Sequence, residues 1–84
     1  MQYEEVYARI ANMIADAKDL ELNEINPQRP LAALELDSLD YVELMVLAKR
    51  EFNISLEAEL FIRHPHMTLE ELCKHIVDTR TTQA

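Results

Sequence analysis

Apolar residues recur along most of the chain at the spacing of amphipathic helices, with one long aperiodic interruption. Between Tyr3 and Ala17 they share one helical face, which consists of Val6, Ile10, Met13, Ile14 and Ala17. Glu4 and Glu5 favour the positive N-terminal end of such a helix, and Lys18 favours its negative C-terminal end. The pattern predicts a first helix over Tyr3–Ala17.

No helical period holds over residues 19–37, where Pro27 and Pro30 interrupt any helix. Such a connection is long for a compact domain. Apolar residues nevertheless punctuate it, at Leu20, Leu22, Ile25, Leu31, Leu34 and Leu36. We therefore expect an ordered loop that these side chains anchor to the core, and long ordered loops often carry function.

Three more helices are predicted after this loop. The second helix spans Ser38–Phe52, with Asn53 as a left-handed cap in a chain that contains no glycine. A short third helix, capped by Ser55, is expected to end near Ile62, before the proline at 65.

A capping-box pattern, Thr68 with Glu71, opens the last helix. Its core stripe consists of Leu69, Leu72, Cys73, Ile76 and Val77. Residues 79–84 are expected to fray. The predicted fold is therefore all-α, a small bundle of three main helices and one short helix, with a single domain over residues 1–78.

The second helix carries two apolar faces when it is wound at 3.6 residues per turn. The core-facing side consists of Tyr41, Leu44, Met45, Ala48 and Phe52. Nearly opposite lies a narrower stripe of Leu39, Val42 and Val46, with Glu43 and Arg50 along one edge and Lys49 along the other. Geometry alone leaves two interpretations open: burial under the loop or the third helix, and exposure as a protein-docking surface.

Composition narrows the function classes. Sixteen acidic against eight basic residues give a net charge of −8, which disfavours nucleic-acid and membrane-surface roles and suits a basic partner protein. The absence of glycine excludes a P-loop, a dinucleotide fingerprint and a nucleophile elbow. With no signal-peptide pattern, no membrane-spanning apolar run and one cysteine, we expect a cytoplasmic protein without membrane insertion.

Ser38 lies where the long loop meets the second helix, and by itself it reads as a helix N-cap. The string Asp37-Ser38-Leu39-Asp40, continued by Tyr41-Val42-Glu43-Leu44, closely resembles the attachment motif of acyl carrier proteins. The order of helices and the anchored loop extend this resemblance over almost the full chain. It implies an acyl-carrier-like bundle that belongs to a stand-alone, type II carrier and is not an enzyme.

In that family the motif serine is esterified to 4′-phosphopantetheine, which implies that Ser38 carries the arm, with Asp37 in a supporting role. A helix N-terminus favours a phosphodiester there. The arm would come from coenzyme A through a separate phosphopantetheinyl transferase and would hold acyl groups as thioesters. Leu44, Met45, Phe52, Phe61, Ile62 and Leu72 are candidates for an apolar interior that takes an acyl chain, or are ordinary core residues.

The resemblance also implies docking of the second helix to acyl-transferring and chain-elongating enzymes such as ketosynthases, reductases and dehydratases, by a carrier that is monomeric when free. The implied docking residues are Leu39, Asp40, Val42, Glu43, Val46, Lys49 and Arg50. Two features depart from the family: Lys49-Arg50 replaces expected glutamates, and Leu34-Glu35-Leu36 replaces the usual glycine before the motif. These departures favour dedicated partners in a specialised fatty-acid, polyketide or aryl-polyene-like pathway.

Other functions remain possible alternatives to an acyl carrier. A peptidyl or aminoacyl carrier would share the arm and the fold. A helical interaction module would use Ser38 only as a cap. A hydrolase with Ser38 as nucleophile would need an oxyanion hole that is hard to build in so short a chain. No metal site is expected, because the spacing of His64, His66, Cys73 and His75 is unlike that of structural zinc ligands.

Overall fold

The computed structural model describes residues 2–83, with side chains described as far as Arg80. It contains four helices, α1 (Tyr3–Lys18), α2 (Ser38–Phe52), α3 (Ala58–Arg63) and α4 (Leu69–Gln83). Two short 3-10 turns, Leu22–Glu24 and Leu31–Leu34, lie in the connection between α1 and α2. Residues 2–83 contain no β-strand, so the predicted all-α bundle of three long helices and one short helix is confirmed.

The core forms where α1, α2 and α4 meet. Its buried members are Val6, Ile10, Ala11 and Ile14 of α1, Leu44, Leu47, Ala48 and Phe52 of α2, and Leu69, Leu72, Cys73 and Ile76 of α4. Two predicted members of the α1 face lie further out, because Met13 is half-buried and Ala17 is exposed. Burial of these apolar side chains supplies the main favourable free energy of folding.

The long connection is anchored as predicted, although not at every expected residue. Ile25 and Leu31 are buried, whereas Leu22 is 51% exposed and is therefore not an anchor. Its side chain lies outside because it begins a 3-10 turn at the surface. Two backbone hydrogen bonds tie the loop to the start of α4, Leu31 N–H to Met67 O at 2.8 Å and Glu70 N–H to Pro27 O at 2.9 Å.

Helix ends in this glycine-free chain use left-handed residues of other types. Asp19 ends α1 with φ 55°, and Asn53 ends α2 with φ 56°, which confirms the predicted Asn53 cap. Glu35 has φ 58° just before α2, within the Leu34-Glu35-Leu36 segment. A non-glycine residue in this conformation costs roughly 1–2 kcal/mol, so the neighbouring contacts hold Glu35 in it.

The start predicted for the short helix is wrong, whereas its predicted end is right to within one residue. α3 begins at Ala58, with Glu57 in the cap position, and not at Ser55. Ile54 and Leu56 on either side of Ser55 are buried, so this segment runs extended to place both side chains in the core. The helix continues one residue past the predicted end, to Arg63.

The last helix starts as predicted and ends later. Thr68 and Glu71 form the capping box, with Glu71 N–H donating to Thr68 Oγ1 and Thr68 N–H donating to Glu71 Oε1, both at 3.1 Å. α4 continues beyond Asp78 to Gln83, and Arg80 Nη1 donates to the Phe52 carbonyl at 3.1 Å. The residues expected to fray are thus helical as far as residue 83, and Ala84 lies outside the described residues. Within residues 2–83, no helix combines the length and apolar character needed to cross a membrane.

Candidate functional site

A reciprocal cap organises the junction between the long loop and α2. Asp40 N–H donates to Asp37 Oδ1 at 3.0 Å, and Asp37 N–H donates to Asp40 Oδ2 at 3.1 Å. Asp37 is therefore the N-cap residue, and Ser38 is the first residue of the helix. The interpretation of Ser38 as a cap is wrong, because Asp37 holds the cap position.

Ser38 is left exposed by this arrangement. Its hydroxyl group has no hydrogen-bond partner among the described residues, because the oxygen that caps the helix belongs to Asp37. The backbone N–H groups of Ser38 and Leu39, in the first turn of α2, also have no acceptor in that part of the chain. An accessible hydroxyl beside free N–H groups at the positive end of a helix suits attachment of a phosphate group.

Asp40 is buried and does not lie on the exposed face of α2. It is 8% exposed, and its Oδ2 atom lies 2.7 Å from Nζ of Lys18, the last residue of α1. The hydrogen bond from Lys18 holds the pKa of Asp40 below its ordinary value, with the Asp37 backbone N–H as the next cause. The predicted docking role of Asp40 is therefore corrected: its carboxylate joins α1 to the start of α2.

Lys18 is the residue of this site that sequence reasoning missed. It was assigned only to the negative end of α1, but its ammonium group reaches across to Asp40. The hydrogen bond to Asp40 raises the pKa of Lys18. No local signal pairs these residues, because the bundle alone brings the end of α1 beside the start of α2.

The second apolar stripe of α2 is open to solvent. Leu39 is 72% exposed, Val46 54% and Val42 47%, so the alternative that the loop or α3 covers the stripe is wrong. Glu43, Lys49 and Arg50 beside it are also exposed. On the core side Leu44, Ala48 and Phe52 are buried as predicted, Tyr41 and Met45 are half-buried, and Leu47 adds a buried contact that was not predicted.

An apolar groove of about 450 Å³ lies between α2 and α3 and reaches Ser38. Tyr41 and Phe61 pack together in it with ring centroids 4.9 Å apart, and Met45 and Ile62 also line it. Of the six residues considered for an acyl-chain interior, Met45, Phe61 and Ile62 line this groove. The other three, Leu44, Phe52 and Leu72, are fully buried in the core.

Cys73 and the histidines do not form a metal site among the described residues. Burial raises the pKa of the Cys73 thiol to about 12, which makes it a small core residue and not a nucleophile. Over the described residues, no three His, Cys, Asp or Glu side chains group in a way that could hold a metal ion.

Residues 8–76 match the family model of the phosphopantetheine attachment site. The chain belongs to that family. This carrier is also 33% identical over 54 residues to an acyl carrier protein of Picosynechococcus sp., an alignment that covers 63% of this chain and 67% of the relative. No solved structure matches it.

Members of the phosphopantetheine attachment family bind 4′-phosphopantetheine covalently. The residues at the start of α2 fit that group, since Ser38 offers a free hydroxyl and the first turn offers unpaired N–H donors. The chain is thus a phosphopantetheine carrier of the acyl carrier type, and α2 supplies both the position of Ser38 and the exposed stripe beside it.

Proposed function

We propose that Ser38 Oγ carries the 4′-phosphopantetheine arm and that the protein presents acyl intermediates, bound to the arm as thioesters, to the enzymes of a type II fatty-acid, polyketide or aryl-polyene-like pathway. The observation that carries the proposal is the exposed Ser38 hydroxyl at the first position of α2, left unbonded because Asp37 caps the helix. A separate transferase and the pathway enzymes would supply the catalytic groups.

The residues at the start of α2 would hold the arm in place. The N–H groups of Ser38 and Leu39 can donate to the oxygens of a phosphodiester, and the helix dipole favours its negative charge by about 0.3–1 kcal/mol. Lys18 and Asp40 hold this end of α2 against α1. When bound, the arm supplies a thiol at its free end, which forms the thioester with the acyl group.

The apolar groove beside Ser38 supports an acyl cargo. Tyr41, Met45 and Phe61 line it within reach of the helix start. A chain of methylene groups that leaves water for such a groove gains about 0.8 kcal/mol per buried CH₂. We propose that the groove shelters the apolar part of the cargo between encounters with enzymes.

The exposed stripe supports transient docking. Leu39, Val42 and Val46 lie on the outer face of the helix whose first residue is Ser38. A partner bound there would receive the arm at a defined place. We propose that the transferase and the acyl-transferring, elongating, reducing and dehydrating enzymes each contact this stripe in turn, with a carrier that is monomeric between contacts.

Intact mass spectrometry tests the attachment site. The chain contains two serines, Ser38 and Ser55, each followed by leucine and both exposed, so they make a matched pair. Incubation with a broad-specificity phosphopantetheinyl transferase, Mg²⁺ and coenzyme A should add one phosphopantetheine to the wild type and to Ser55→Ala. Ser38→Ala should gain none while its circular dichroism stays that of the wild type. A gain that survives Ser38→Ala would contradict the proposal.

A further inference from the structure

Two of the exposed cations, Lys49 and Arg50, are neighbours on α2. The basic side chains that form ion pairs are Arg9, Lys18, Arg63 and Lys74. Lys49 and Arg50 are exposed and have no ion-pair partner among the described residues. Glu51, the nearest carboxylate in the sequence, pairs with Arg9 of α1 at 3.1 Å instead. Arg29 is also exposed without an ion pair among the described residues, but it lies alone in the loop, whereas Lys49 and Arg50 adjoin each other on α2.

The helix places these cations on the same face as the apolar stripe. Lys49 and Arg50 follow Val46 by three and four residues, the spacings at which side chains are neighbours on a helix surface. Val42 and Val46 are about half exposed, so the apolar surface continues directly to the two cations. With a rise of 1.5 Å per residue, Arg50 lies about 18 Å along the axis from Ser38.

The opposite end of this face is negative. Glu35 and Asp37 precede Ser38, Glu43 lies one turn after Leu39, and all three acidic residues are exposed. The outer face of α2 therefore carries anions from before Ser38 as far as Glu43, beside the apolar stripe, and cations at its far end. Rotating such a face end to end on a partner would bring like charges together, so the pattern specifies one orientation.

We infer that the enzymes served by this carrier have a complementary surface, with cations around the entrance that receives the Ser38 arm, an apolar patch beside it, and carboxylates about 18 Å from the entrance that meet Lys49 and Arg50. The inference rests on the proposed function, since it assigns partners to the same helix. It goes beyond that function by naming the charge that a partner must present at the far end of α2.

Two other accounts of the cations give different expectations. Cations in the last turn of a helix also favour its negative end, which would affect stability and not the choice of partner. A second copy of the chain could pair antiparallel through the same face and match the charges. That pairing would cover Ser38, and it would bring together two molecules with a net charge of −8 each.

The test uses the arm-loaded protein and two purified ketosynthases chosen by their structures. One has Asp and Glu about 18 Å from its active-site entrance, and the other has Lys and Arg there. The variant reverses both cations, Lys49→Glu with Arg50→Glu. The control makes the same change of charge elsewhere, Arg29→Glu with Lys74→Glu, on exposed residues of the loop and of α4. Because Lys74 pairs with Glu70, the Tm of the control is measured beside its rates. The kcat/KM for acyl transfer is measured at low and high salt.

Wild-type carrier should favour the carboxylate-bearing ketosynthase. Reversal should lower kcat/KM with that enzyme by about tenfold and raise it with the other, because it replaces two attractive exposed ion pairs with two repulsive ones. The effect should shrink at high salt. Neutral Lys49→Gln with Arg50→Gln should fall between wild type and reversal, and covers the case in which reversal disturbs folding. The control should change both rates less than twofold.

An unchanged preference after reversal, or a loss equal to that of the control, would overturn the inference while the proposed function stands. A wild-type dimer in sedimentation velocity that the reversal dissociates would assign the face to a second copy and also overturn it. Failure of Ser38 to accept the arm in mass spectrometry would instead overturn the proposed function, so the two failures are distinguishable.

Discussion

Asp37 has two properties that substitution can separate, because it caps α2 with a side-chain oxygen and carries a charge beside Ser38. The Asp37→Ala variant removes the acceptor of the 3.0 Å bond from Asp40 N–H. Loss of an N-cap of this type costs about 0.5–2 kcal/mol. Asp37→Asn keeps an acceptor oxygen and forfeits only the interaction of the charge with the helix dipole, about 0.3–1 kcal/mol.

We therefore expect the free energy of unfolding to decrease in the order wild type, Asp37→Asn, Asp37→Ala, with alanine about 1 kcal/mol below asparagine. In a chain of this length, 1 kcal/mol corresponds to about 4–8 °C in Tm. Urea and thermal unfolding followed by circular dichroism measure the difference. Exposed Glu57 precedes α3 without a side-chain cap hydrogen bond, so Glu57→Ala serves as the control and should change stability by less than about 0.5 kcal/mol.

Equal losses for Asp37→Ala and Asp37→Asn would refute the reasoning, because they would show that the charge and not the acceptor oxygen stabilises the start of α2. An unchanged Asp37→Ala variant would refute it as well. Loading of Ser38 by the transferase, measured far below the Tm, should fall to the same extent in both variants, because both remove the charge beside the hydroxyl that is modified. A loss of loading in Asp37→Ala but not in Asp37→Asn would show that the cap at the start of α2, and not the charge of Asp37, supports loading.

Three further predictions concern the side chains of Asp40 and Cys73 and the backbone conformation of Glu35. The Lys18 hydrogen bond lowers the pKa of Asp40 from its ordinary value of 3.8. The Asp40 carboxylate therefore stabilises the fold fully at a pH above 3.8, and this contribution is lost as the pH falls through the lowered pKa. In urea titrations from pH 7 to 2, Asp40→Asn should show a smaller loss of stability on acidification than the wild type. Cys73, with its pKa raised to about 12, should not react with a thiol reagent in the native apo protein, whereas the loaded protein should show one reactive thiol; fast labelling of the apo form would contradict its burial. At Glu35, with φ 58°, glycine should raise the free energy of unfolding by up to about 1 kcal/mol, and valine should lower it, in urea unfolding.

The sequence predicted the elements whose signals are local. Asn53 and the Thr68–Glu71 pair lie where the patterns placed them, because caps depend on a few neighbouring residues. The apolar stripe of Leu39, Val42 and Val46 was also predictable, since the helical period fixes which side chains share a face. The exposure of this stripe to solvent was not predictable, because it depends on how the loop and α3 pack against α2.

Features set by tertiary contacts escaped prediction. Asp40 was assigned a docking role from the family resemblance, but Lys18 of α1 pairs with it on the inside. Leu22 was taken as an anchor because a loop without a period gives no sign of which apolar side chains turn inward. The continuation of α4 past Asp78 likewise involves a contact across the bundle, from Arg80 to Phe52 O.

The choice between Asp37 and Ser38 as the cap has a consequence for the proposed function. Both residue types cap helices well, but the reciprocal bonds between Asp37 and Asp40 fill the cap and leave the serine hydroxyl unbonded. The same bonds, with Lys18, fix the start of α2 to the bundle. Ser38 and the exposed stripe are therefore parts of one rigid helix. A partner that docks on Val42 and Val46 thereby fixes the position of Ser38, where the arm begins. The free end of the flexible arm then stays close to one active-site entrance.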